Sequence, residues 1–96
     1  MRTALDKLLN SIDAEQKGNV YIEDFSFSYG KYEVNFMGHY WCFTYLSGHA
    51  RELSEYIWKD YSEMLDFIFP ETGKSMRAML NELAEVDLKI ISSQRM

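Results

Sequence analysis

The chain has 96 residues and a net charge of −5, a length that suits one domain with a modest core and leaves little room for a deep cleft. Its 47% hydrophobic and 26% charged content is that of a folded chain. The acid excess and the lack of any basic stripe argue against sequence-independent binding to nucleic acid, which needs cations to displace the counterions of the phosphates.

Residues 3–17 read as a helix, with Leu5, Leu8, Leu9 and Ile12 on one stripe and Thr3 with Asp6 as a capping box; Gly18-Asn19 is the stop. From Val20 the period becomes two. Val20 and Ile22 alternate with polar neighbours, then Phe25, Phe27 and Tyr29 do so with the opposite parity, which requires a bulge or bend at Glu23-Asp24. Gly30-Lys31 makes a turn into a half-buried strand carrying Tyr32, Val34 and Phe36. Met37-Gly38-His39 makes a second turn. The next strand, Tyr40 to Leu46, is apolar or aromatic on both sides, so both of its faces are expected to be covered. Short links imply an antiparallel meander.

Residues 49–69 fit a helical period, with Leu53, Tyr56, Ile57, Tyr61, Met64, Leu65 and Ile68 inward and Glu52, Glu55, Lys59, Glu63 and Asp66 outward. Pro70 ends or kinks this helix, and Pro70 to Gly73 reads as a turn. A last helix is expected from about Lys74 to Ser92, with Met76, Met79, Leu80, Leu83, Val86 and Ile90 on its apolar side. The expectation is a single α+β domain over residues 1–96: a three-stranded antiparallel meander with helices in the order α-β-β-β-α-α.

No constellation carries obvious chemistry. His39 and His49 would lie at opposite ends of one strand, roughly 23 Å apart, too far to share a metal ion. Cys42 and His39 would point to opposite faces, and a mid-strand cysteine among aromatics reads as an inert core residue. Phosphate-binding glycine loops are missing, and the helical carboxylates read as a solvated face. We therefore expect no catalytic, cofactor-binding or metal-binding residues. The single cysteine suits a reducing compartment, charges at Arg2, Asp6 and Lys7 interrupt any signal peptide, and no apolar run is long enough to span a membrane. The expectation is a soluble cytoplasmic protein that begins at its initiator methionine.

Two surfaces stand out as partner-binding candidates. One is the acidic row Glu52, Glu55, Glu63 and Asp66, which reads either as a solvated face or as a dock for a basic patch. The other is the corner Phe67, Phe69, Pro70 and Glu71, where Phe67 falls on the wet side and Phe69 sits at the helix end. An exposed ring beside a proline is a good anchor. An aromatic–proline bond also raises the chance of a cis peptide, which would make Pro70 a substrate for a prolyl isomerase. The plainer reading is that Phe69 folds under the turn. All fifteen aromatic residues lie between Tyr21 and Phe69, as core filling or as an exposed binding surface.

In its size, acidity, aromatic density, lone Pro70 in Phe69-Pro70-Glu71 and the acidic segment before it, the chain resembles small phage-encoded inhibitors of host enzymes, in particular the anti-RecBCD proteins of Salmonella lambdoid phages. The likeness is one of general character, so no site carries over residue by residue. It implies a chain in the host cytoplasm that binds the RecBCD helicase-nuclease and does no chemistry itself. The alternatives are an antitoxin, immunity protein or other nuclease inhibitor using the acidic face, and a structural homo-oligomer joined through the third strand or the Met-rich last helix.

Overall fold

The computed structural model describes residues 2–38, 40–46 and 49–94, and of residues 49–53 it describes the backbone alone. The first element is as expected. Helix α1 spans Ala4–Gln16, with the Thr3 side chain accepting from the Asp6 N–H at 3.2 Å and the Asp6 carboxylate accepting from the Thr3 N–H at 2.9 Å. Ala4, Leu8 and Ile12 are its buried side chains, so the stripe is turned slightly from the expected one and Leu9 is left exposed. Gly18 follows the helix with φ +82°, a conformation that favours glycine.

Strands β1 (Val20–Tyr29), β2 (Tyr32–Met37) and β3 (Trp41–Leu46) form the expected antiparallel meander. The register slip lies where the change of parity requires it, between Ile22 and Asp24. It lets Ile22, Phe25 and Phe27 all face inward. Phe25 and Phe36, directly paired across β1 and β2, stack at 4.5 Å. Ahead of β3, Gly38 has φ +58°, and Tyr40 also has positive φ, at 65°. The Tyr40 carbonyl accepts from the Trp58 N–H at 2.8 Å and its ring meets Tyr61 edge-on at 4.8 Å, contacts that hold this unusual conformation.

The second half departs from the α-β-β-β-α-α order. His49–Ile57 is a fourth strand, β4, paired with β3, and the second helix shrinks to α2, Tyr61–Asp66. The apolar positions at 53, 56 and 57 fit either period. What decides is the outer edge of β3, whose backbone N–H and C=O groups need partners, together with the strand preference of Tyr56, Ile57 and Trp58. Two-residue strands β5 (Ile68–Phe69) and β6 (Lys74–Ser75) flank the Pro70 turn. The last helix is also short: α3 covers Met76–Asn81, a 3-10 turn covers Glu85–Asp87, and Leu88–Gln94 is strand β7, paired with β1. Its Lys-Ile-Ile stretch suits a strand better than a helix, and Val86, expected inward, is exposed.

The result is an α+β fold with one five-stranded antiparallel sheet in the order β4-β3-β2-β1-β7. All three helices lie on one side of it. There the core gathers Leu8 and Ile12 from α1, Met64 and Leu65 from α2, and Met76, Met79 and Leu80 from α3. The Glu15 carboxylate ties three elements together, accepting from the Ile22 N–H and the Tyr61 hydroxyl, each at 2.6 Å. The Lys7 ammonium donates to the carbonyls of Glu85 (3.3 Å) and Leu88 (2.7 Å), fastening α1 to the start of β7. No helix among the described residues is long and apolar enough to cross a membrane.

Candidate protein-interaction surface

Strand alternation sends half of the sheet's side chains away from the helices. On β3, Cys42 and Thr44 are fully buried on the core side of the sheet, while Trp41, Phe43 and Tyr45 point the other way and are half-buried. The expectation that both faces of this strand are covered is therefore wrong: the helices lie on one side alone. The outward row continues across the register. Trp41 pairs with Ile57 of β4, Met37 with Asp24, and Asp24 with Ile91 of β7. Ile57, Met37 and Ile91 are 76%, 52% and 46% exposed, so this face holds much of the large apolar surface left open to water. Trp41 and Phe43 lie 5.6 Å apart, centroid to centroid.

A second row runs from Glu55 through Phe43, Asn35 and Ser26 to Lys89. Ser26 and Asn35 are short, and the sheet surface dips over them. One depression of about 240 Å³ has Met37, Phe43, Ile91, Lys89 and Asp24 around it. Another of about 310 Å³ shares Ser26, Asn35 and Lys89 and reaches Glu33 and Asp87. The Tyr45 hydroxyl donates a short hydrogen bond to the Glu33 carboxylate, which fixes that carboxylate on the face and raises the tyrosine's pKa. The Asp87 carboxylate accepts from the Ala84 N–H at 3.1 Å.

The sequence-expected site residues are scattered. Phe69 is fully buried, surrounded by the rings of Phe67 (5.2 Å), Tyr56 (5.4 Å), Tyr32 (5.6 Å) and Trp58 (6.2 Å), so it is core and presents no anchor. Phe67, expected to be exposed, is half-buried against Tyr56 at 4.7 Å. Ile68, expected in the core, is the exposed member of its strand because β5 alternates where a helix would not. Pro70 is exposed and its peptide bond is trans. Glu71 accepts from the Ser54 hydroxyl at 3.2 Å and the Tyr56 hydroxyl at 3.4 Å, linking the turn to β4. The acidic helix face does not exist as one row, and the Glu52 side chain lies outside the described residues. Glu55 lies on β4, on the open sheet face opposite Phe43. Glu63 lies in the first turn of α2: its N–H donates to the capping Asp60 carboxylate at 2.9 Å and its own carboxylate accepts from the Lys59 N–H at 3.1 Å. Asp66 is paired with Arg77 at 3.1 Å.

Cys42 is buried, which pushes its thiol pKa up and disfavours the reactive thiolate. His39 and the His49 side chain lie outside the described residues, and among those described no group of three metal-binding side chains comes together. The open face was missed in the sequence although its signal was there: Trp41, Phe43 and Tyr45 at alternate positions, with Met37, Ile57 and Ile91 as their register neighbours.

Comparison of the chain with protein-family models, curated proteins and solved structures finds no match in any of the three.

Proposed function

We propose that this chain works by binding another protein through the open face of its sheet, and that it does no chemistry of its own. The observation that carries the reading is the aromatic and apolar group Trp41, Phe43, Met37, Ile57 and Ile91 on a face without helical cover. Trp and Tyr are the residues most enriched where interfaces draw their affinity, and contiguous apolar surface rimmed by polar groups is the usual mark of a docking site. A modulator of a host DNA-processing enzyme fits this mode of action, and the resemblance to phage inhibitors makes RecBCD the first partner to test. The rival reading, an immunity-type inhibitor using one acidic helix face, has less support because Glu55, Glu63 and Asp66 belong to different elements or are already engaged. Assembly through the third strand is disfavoured because β3 is paired on both sides, and Met76 and Met79 of the last helix are in the core.

The test is capture of purified RecBCD, and of proteins from a bacterial lysate, on the immobilised chain and on a Trp41→Ala/Phe43→Ala variant of matched folding. Capture by the parent chain alone is the expected result. A partner retained equally by both forms would remove the open face as the binding surface.

A further inference from the structure

We infer that the trough on the open sheet face receives a basic segment of the partner protein, with arginine side chains at its two ends. The inference rests on reading this face as the protein-binding surface, and it names the chemistry of what binds there.

Among the described side chains the charges on the face are unequal: Asp24, Glu33, Glu55 and Asp87 lie on it or at its rim, against Lys89. A cationic partner is attracted to such a field, while a nucleic-acid backbone and a second copy of the same face are both repelled. The walls are chemically mixed. The first depression sets the Asp24 carboxylate beside the side chains of Met37, Ile91 and Phe43. Arginine matches this combination: its methylene stem packs on apolar walls, its guanidinium lies flat on a ring, and its fork meets a carboxylate. The second depression offers Glu33, already oriented by Tyr45, together with Asp87. Each depression is far larger than the about 30 Å³ that one water takes up.

The spacing of the two ends follows from the strands. Asp24 pairs with Met37 and Ser28 with Glu33, so four residues of β1 separate the two acidic ends. At about 3.3 Å per residue that is roughly 13 Å. An extended segment lying along the trough places residues i and i+4 at this separation, both on one side. Lys89 borders both depressions and disfavours a cation at the middle position. The preferred ligand is therefore an extended basic segment with arginines four apart and uncharged residues between.

The probe is a capped pentapeptide with arginine at both ends and threonine-valine-threonine between, titrated into the isotope-labelled full chain and followed by amide chemical shifts. Expected are shifts concentrated at Ser26, Asn35 and Phe43. Asp24→Asn should weaken binding three- to tenfold and Lys89→Gln should tighten it, with Glu82→Gln, at the end of α3 where the carboxylate accepts from Tyr29 and Lys74, without effect. Absence of binding, equal binding to Asp24→Asn, binding of a single-stranded oligonucleotide at this face, or a dimer in sedimentation that buries it would each overturn the inference. If the peptide fails while Trp41→Ala/Phe43→Ala still abolishes partner capture, the charge argument falls and the binding reading stands. If capture survives that variant, the binding reading itself falls.

Discussion

Replacing Phe69 by alanine removes a ring with no exposed surface and four aromatic neighbours between 5.2 and 6.2 Å away. Truncating a buried phenylalanine costs about 3–5 kcal/mol, from lost transfer energy and the cavity left behind. Domains of this size hold only about 5–15 kcal/mol in total, and each kcal/mol moves the melting temperature by about 4–8 °C. Phe69→Ala should therefore melt about 12–40 °C below the parent, or be largely unfolded at room temperature. Pro70→Ala, next to it but exposed in a turn, should lose about 0.4–1 kcal/mol. The assay is urea unfolding followed by circular dichroism, comparing midpoints at unchanged slope. A loss below about 1 kcal/mol for Phe69→Ala would place the ring outside the core and restore the corner as an exposed anchor.

Three other outcomes follow from the same geometry. Gly38→Ala must hold a side chain at φ +58° with its Cβ 3.4 Å from the Glu23 carbonyl, and should lose about 1–2 kcal/mol in thermal melting. Burial raises the pKa of Tyr32, and burial with the Glu15 hydrogen bond raises that of Tyr61. Both phenols favour the folded state in their neutral form, so this contribution is complete below the ordinary tyrosine pKa of about 10 and is lost as pH rises above it. In an absorbance titration these two should ionise only as the chain unfolds, and a smooth titration of all seven tyrosines near pH 10 in a folded chain would contradict the burial. Amides of Leu88 to Ile91 that face β1 should exchange slowly and show strand chemical shifts, whereas helical shifts there would restore the long last helix.

The elements legible in the sequence were those whose signals are local. Thr3 and Asp6 cap α1 with their own backbone, Gly18 and Gly30 mark their turns, and the parity change at Glu23-Asp24 forecasts the bulge because a strand cannot change faces without one. Strands β4 and β7 were not legible because their identity is decided by what they pair with. Tyr56 and Ile57 fit an amphipathic helix until the unpaired edge of β3 is considered, and Ile90 does so until β1 is. That error concealed the candidate surface as well. Two long helices would have supplied enough cover for both sides of the sheet. With α2 and α3 of six residues each, the helices cover one side, and Trp41, Phe43 and Tyr45 are left facing outward. The corner was half legible: Phe67-Ile68-Phe69 is an aromatic feature, but strand alternation, not helical period, decides which of the three is buried.

The central claim is that the open sheet face meets a different protein. Site-specific photo-crosslinking tests it most directly, with a benzophenone amino acid placed at Phe43 on the face or at Glu82 on the helical side, and the chain produced in a bacterial host. The account predicts a discrete adduct with one heterologous protein from position 43 and none from position 82. Adducts from position 82 alone, or from position 43 only with a second copy of the chain, would contradict it.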